Sequence, residues 1–266
     1  MQSIAAAPHI FWAILFIVLP LFIVVYYAFT DDVGSFTFEN LASLKNYSKL
    51  FGLSLELSVL ATFICFLIGY PLAYIIARSK PKHQKFFIML LMLPMWTNLL
   101  IRTYSLMALL DNGGLVSSFL VSLGFEKLTF IGTDGAVILG MIYDFLPYMV
   151  LPIYTSITKL DKRYLEASAD LGCNAIQTLT KVMLPLTVPG VVSGITMVFV
   201  PSISTFYISQ KLGGGSFDLI GDTIERQFQN AVTYHTGAAI SLVMMILILI
   251  SLAVMNKFSD NEEEII

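Results

Sequence analysis

Charge is scarce in this sequence. Of its 266 residues, 12% are Asp, Glu, Lys or Arg, about half the share of an ordinary soluble domain. That scarcity excludes a water-soluble core wrapped in a charged shell. A net charge of −3 leaves no basic surface for a nucleic acid. There are only two cysteines, Cys65 in an apolar run and Cys173 in a polar stretch, so no disulfide is expected. The three histidines, His9, His83 and His235, fall at the ends of apolar runs or in loops, and no metal site is expected. H-E-x-x-H, G-x-S-x-G and G-x-x-x-x-G-K-[ST] are all missing. The chain therefore offers no catalytic residue and no phosphate loop. No basic residues precede the first apolar run, which exceeds the h-region of a signal peptide, so it is expected to stay as a first helix.

What is present is apolar. Hydrophobic residues make up 57% of the chain and the mean hydropathy is +0.81. A bilayer core needs about 20 apolar helical residues. Six stretches meet that length: His9–Phe29, Leu55–Ala77, Phe86–Leu110, Ala136–Ile157, Leu186–Ile208 and Gly237–Met255. The expected fold class is an all-α membrane protein with six spans, a single domain over residues 1–266. Pro94 interrupts the third span, and Pro147 and Pro152 sit in the fourth, where they either shape packing or mark kinks beside a pathway.

With both termini in the cytoplasm, the inner loops and tail hold Arg78, Lys80, Lys82, Lys85, Lys159, Lys162, Arg163, Lys181 and Lys257. The outer loops hold Lys45, Lys49, Lys127, Lys211 and Arg226. Nine against five favours that orientation, and the acidic tail Asp260–Glu264 weighs little against it. Two outer loops carry short helical patterns. One is "GGLVSSFLVSLGF", suited to lie along the interface. The other is "LGGGSFDLIGDTIERQF", where Gly213–Gly215 permits positive φ before an amphipathic helix. No internal repeat is visible.

One polar stretch stands apart, "EASADLGCNAIQTLTKVMLP" from Glu166 to Pro185. It reads as helix, turn, helix on the cytoplasmic side. Asp161 can cap the first helix, with Leu160, Tyr164, Leu165 and Leu171 as apolar contacts. Glu166 and Asp170 share a solvent face. Gly172 follows as a C′ glycine, and Asn174 with Gln177 forms a capping-box pattern. The small residues Ala167, Ser168 and Ala169 would let a partner's backbone approach closely, as for a helix seated in another protein's groove.

This stretch resembles the "EAA" loop of ATP-binding-cassette importer permeases, EAA-x₃-G-x₉-I-x-LP. Glu166, Ala167, Gly172, Leu184 and Pro185 fall on the motif, while Ser168 and Val182 depart mildly from it. "PMWTNLLIRTY", "LPYMVLPIYTSITKLD", "LPLTVPGVVSG" and "LGGG" resemble the spermidine/putrescine subset, specifically the first of its two permease subunits. The resemblance implies a transport subunit, not an enzyme, in the cytoplasmic membrane. It also implies a second, homologous permease, two cytoplasmic ATPase subunits that bind the ATP and Mg, and an extracytoplasmic polyamine-binding protein. Membrane lipid surrounds the spans. Glu166, Ala167, Ser168, Asp170, Leu171, Gly172, Leu184 and Pro185 would couple the chain to its ATPase.

For the substrate pathway, ionisable residues within spans are the first candidates. Arg102 and Asp144 each fall about eight residues, roughly 12 Å, below the outer surface. Either they pair as structural glue, or Asp144 faces a cavity and attracts a cation. Trp96, Tyr104, Tyr143, Tyr148 and Tyr207 offer aromatic walls to a polyamine and Asn98 a neutral hydrogen-bonding group, though any one aromatic taken singly is better suited to packing or an interface. Glu56 reads as an interfacial carboxylate. Gly190 and Gly194 form a G-x-x-x-G pair suited to close helix packing, within this chain or against a partner. Three rival readings stay open. The first is a permease for sulfate, thiamine or ferric iron, the second an ATP-independent secondary transporter or channel, and the third a membrane scaffold.

Overall fold

A computed structural model describes residues 2–31, 33–126, 129–215, 218–230 and 232–263. Lys127 and Glu264 lie outside the described residues. The chain opens with α1 (Gln2–Ala13), which passes through a π-helical turn into α2 (Leu19–Ala28). A short α3 (Glu39–Ser43) and a 3-10 turn then lead into α4 (Ser48–Arg78), a straight-through helix of 31 residues. Next come α5 (Pro81–Met92), α6 (Leu99–Leu110), α7 (Leu115–Ser122) and α8 (Asp134–Lys159). The polar stretch holds α9 (Lys162–Asp170) and α10 (Ala175–Gln177), a π-helical run and α11 (Leu184–Leu186). The chain ends with α12 (Val188–Ile203), α13 (Tyr207–Leu212), α14 (Ile220–Gln229) and α15 (Tyr234–Glu263).

Among the described residues, five helical stretches are long and apolar enough to span a membrane: Pro8–Ala28, Glu39–Arg78, Leu99–Ser122, Asp134–Lys159 and Tyr234–Lys257. A sixth span forms if Ala175–Leu186 and Val188–Ile203, which meet at 75°, count as one. The fold is all-helical, but two expected boundaries move. Phe86–Leu110 is not one helix. It breaks after a 3-10 turn at Leu93–Trp96, with Thr97 extended. Pro94 removes a backbone donor there, and Asn98 starts a new helix by accepting the Leu100 N–H at 2.8 Å. Leu186–Ile208 is also divided. Its helix ends at Ile203, and the Ser204 and Thr205 carbonyls that follow lie so close to Gly221 that any side chain there would collide with them.

The centre of the bundle is α8, flanked by α4 and α12. Lipid tails are as apolar as Leu, so helices here associate by close packing rather than by escape from water. The small residues do that work. Gly69 of α4 and Gly194 of α12 both lie against Met149 of α8, and Gly190 lies against Pro152 and Ser156. The G-x-x-x-G pair thus packs within this chain. Cys65, Tyr70, Ile153, Met183 and Val198 complete the core near the polar hairpin. Leu57, Val137, Met141, Ile208 and Leu212 form the core at the opposite end. Outside this bundle, α1 and α2 carry an exposed run of apolar side chains from Ile10 to Leu21. The second half of α2 is held against α15, where Val24, Val25, Tyr27 and Ala28 pack with Ala238, Ala239 and Leu242.

Candidate functional site

The polar hairpin begins where α8 stops. Leu160 is extended, and Asp161 accepts the Arg163 N–H at 3.0 Å to cap α9. Gly172 has a φ of +77°, a left-handed geometry that other residues adopt at a cost, and it turns the chain back. Asn174 and Gln177 then exchange reciprocal hydrogen bonds of 2.8 and 2.9 Å, closing a capping box at the start of α10. Each of these devices is local, which is why the sequence carries them openly.

The two sides of the hairpin differ. Ser168 faces inward at 4% exposure, bonded to the Leu165 carbonyl and, at 3.1 Å, to the Thr178 hydroxyl. It ties the two arms together, so that of Ala167, Ser168 and Ala169 the two alanines alone are exposed. Leu160 and Leu165 pack against the core. Leu171 does not: it is 84% exposed, as are Ile176 at 72% and Tyr164 at 50%. Glu166 and Asp170 are exposed beside them. The hairpin thus presents apolar and acidic groups together, and among the described residues nothing covers them. Ile176 joins the expected surface residues. Its position just inside a capping box was the available signal.

Pro185 starts the return to the bundle. The chain bends at Thr187, which is fully buried, between α11 and α12. Tyr70 of α4 donates its hydroxyl to Thr187 Oγ1 at 2.9 Å, and Thr187 donates onward to the Met183 carbonyl at 2.8 Å. Leu184 is half-buried against the core.

Within the spans, Arg102 of α6 and Asp144 of α8 are side by side as a buried ion pair, with Asp144 at 1% exposure. Arg102 also donates to the Pro94 carbonyl at 3.1 Å and lies 5.8 Å from the Tyr143 ring centre. Asp144 is therefore turned toward Arg102 rather than toward open space. Of the remaining pathway candidates, Trp96, Asn98 and Tyr148 do not converge. Trp96 is strongly exposed, Asn98 spends its oxygen on the α6 cap, and Tyr148 packs toward Phe145. Tyr104 and Tyr207 do meet, edge to face with ring centres 6.1 Å apart.

At the end opposite the hairpin, Gly214 and Gly215 take positive φ, and α14 follows. Asp222 is buried there and accepts the Leu219 N–H at 2.7 Å. Burial pushes its carboxyl up to about 6, against the lowering effect of that bond and of Ser209. Arg226 pairs with Asp218, which raises the guanidinium's own pKa. Glu56, expected at the rim, is exposed on α4.

Comparison with known proteins places this geometry. The profile described as "Binding-protein-dependent transport system inner membrane component" matches residues 69–262. A Haemophilus influenzae protein named spermidine/putrescine transport system permease protein PotB is 36% identical, over 99% of this chain and 97% of its own. Its Escherichia coli namesake is 38% identical over 88% of this chain and 89% of its own. Among solved structures, a bacterial ABC transporter involved in import of the acidic polysaccharide alginate superposes with a TM-score of 0.82. That match is 18% identical and covers 98% of this chain and 95% of the other. The MetNI methionine ABC transporter superposes at 0.60, with 16% identity over 81% and 95%. At these identities the two structures speak to fold alone.

Proposed function

Because the chain belongs to the family of binding-protein-dependent transport system inner membrane components, we propose that it is a permease subunit of an ATP-driven importer carrying spermidine or putrescine across the cytoplasmic membrane. It is a multi-pass membrane protein and a transport subunit. Both termini and the hairpin face the cytoplasm in this reading, in keeping with the excess of basic residues on that side. A second permease of the same kind stands beside it. Each permease seats its hairpin on one of two ATPase subunits, which bind the ATP and Mg. An extracytoplasmic binding protein delivers the polyamine at the opposite end.

The uncovered hairpin surface carries this reading. Leu171, Ile176 and Tyr164 are costly to leave in water in a stretch otherwise so polar, and a groove on a partner would bury them. Glu166 and Asp170 add negative charge at the same surface, which a partner with basic groups at its groove rim would complement. The substrate class rests on the polyamine names of relatives that match nearly the whole chain. The α6–α8 pair of Arg102 and Asp144 holds the outer half of the bundle together in this reading, and substrate contacts fall to neutral and aromatic groups.

The test is ATP hydrolysis and spermidine uptake by the complete complex in proteoliposomes, with spermidine-loaded binding protein. Glu166→Ala removes a surface charge at the hairpin. Gly172→Pro cannot adopt the turn's positive φ. Variants that assemble but hydrolyse ATP without uptake support coupling through the hairpin. Wild-type behaviour of both would overturn it.

A further inference from the structure

Lys211 is a cation held by aromatic faces. Its ammonium lies 5.2 Å from the Tyr104 ring centre and 5.7 Å from that of Tyr207. Among the described residues it makes no ion pair with a carboxylate. Glu225 is engaged by Gln210, the residue before Lys211, and by Gln229.

The scaffold under this arrangement is stiff. One face of α13 is sunk into the bundle, with Ile208, Ser209 and Leu212 fully buried. Ile208 and Leu212 fill the space over Gly140 of α8, where any side chain would collide with them. The Gly132 N–H is bonded to the Leu212 carbonyl at 2.8 Å, which fixes the end of α13. Tyr207 and Lys211 are four residues apart on this helix, so they share one side. That side meets Tyr104 of α6, and Tyr104 is 46% exposed. Two tyrosines from different helices thus converge on one ammonium, next to open space.

We propose that Tyr104 and Tyr207 form a binding site for a primary ammonium group, which Lys211 fills in this conformation and which an ammonium of the transported polyamine takes over as Lys211 swings out. The proposal rests on the polyamine reading above and adds an internal competitor to it. A lysine side chain ends in a primary ammonium on a chain of four methylenes, the same chemistry as the end of a linear polyamine. Ring faces attract either cation by their quadrupole. A carboxylate partner would hold Lys211 more firmly, whereas two rings leave it exchangeable.

The experiment is equilibrium binding of radiolabelled spermidine to the detergent-solubilised complete complex, with intact assembly checked by size-exclusion chromatography. Lys211→Met keeps the length and removes the competitor. It should tighten spermidine binding about three- to tenfold. Tyr207→Leu in the same background should erase that gain, and Lys211→Arg, which keeps a cation, should bind as wild type does. An assembled Lys211→Met complex that binds spermidine no tighter than wild type overturns the proposal alone. A wild-type complex that neither binds spermidine nor takes it up with ATP overturns the polyamine reading, and the proposal falls with it.

Discussion

Arg102 of α6 and Asp144 of α8 are joined as a buried ion pair across two helices whose Leu110, Val137 and Met141 share one apolar cluster. The guanidinium is held on a second side by the Pro94 carbonyl, at the break that separates α5 from α6. One pair therefore fixes both a helix contact and a chain break.

Removing one member of that pair leaves a buried charge with no counterpart. Arg102→Met should destabilise the chain by about 3–5 kcal/mol, because the lost partner costs more than the pair contributes. The double variant Arg102→Met with Asp144→Leu should recover much of the loss. Thermal unfolding of the purified complex in detergent checks both. Equal damage in the single and double variants would refute the pairing as the cause.

The glycines of α12 set its distance from α8. A Cβ on Gly194 would lie 2.9 Å from Met149 Sδ and 3.0 Å from the Met149 carbonyl. The sulfur can yield, but the carbonyl belongs to a packed helix. Gly194→Val should therefore lower stability by about 1–3 kcal/mol, read as a lower unfolding temperature. Gly52, with open space around its Cα, is the control, and Gly52→Ala should be tolerated.

Turn geometry makes Gly172 sensitive to side-chain shape. Gly172→Val places a β-branched residue at a φ of +77°, at a cost of about 1–2 kcal/mol or more. Protease cleavage within residues 161–177 should accelerate while cleavage of the outer loops stays unchanged. Gly172→Asn should behave more nearly like wild type, since Asn tolerates the left-handed region.

Much of this hairpin is readable from sequence because its signals sit within a few residues of one another. Asp161, Gly172 and the Asn174–Gln177 box each act on backbone groups nearby, and the structure has helix ends at those places. The overall helical class is legible for the same reason, since length and hydropathy are properties of a segment. Other features depend on contacts distant in the chain. Ser168 is inward because Thr178 faces it, and no periodicity in a short helix declares that. The Tyr104–Lys211 contact joins positions over a hundred residues apart and leaves no local trace. The division of Phe86–Leu110 is an intermediate case. Pro94 and Asn98 both mark it, and hydropathy dips across Pro94–Asn98, but the apolar runs on either side together have the length of one span.

Asp222 provides a pH dependence whose sign can be worked out. Its folded carboxyl titrates at about 6, above the ordinary value of about 3.9 for an unfolded Asp. Between those two values the folded chain binds the extra proton, so stability falls as pH rises through about 4 to 6. Asp222→Asn keeps an acceptor for the Leu219 N–H and has no charge to bury. Relative to that variant, wild type should lose about 2–3 kcal/mol across this window. Unfolding followed at pH 4.5 and pH 7 is the measurement. A gap between the two proteins that does not change with pH would refute the assignment.

The 75° bend at Thr187 makes a bell crank of two helical arms. One arm, Ala175–Leu186, is about 18 Å long, and the other, Val188–Ile203, about 24 Å. Their pivot is fixed by the Tyr70 hydroxyl on Thr187 Oγ1. Under the coupling proposed above, a sideways push at the polar arm would leave the pivot as a tilt of the membrane arm. The travel at the far tip is about a third larger than the travel put in. Small strokes on one side of the bilayer would then become wider ones near its other face, and loosening the pivot, as in Tyr70→Phe, would spend part of each stroke in slack.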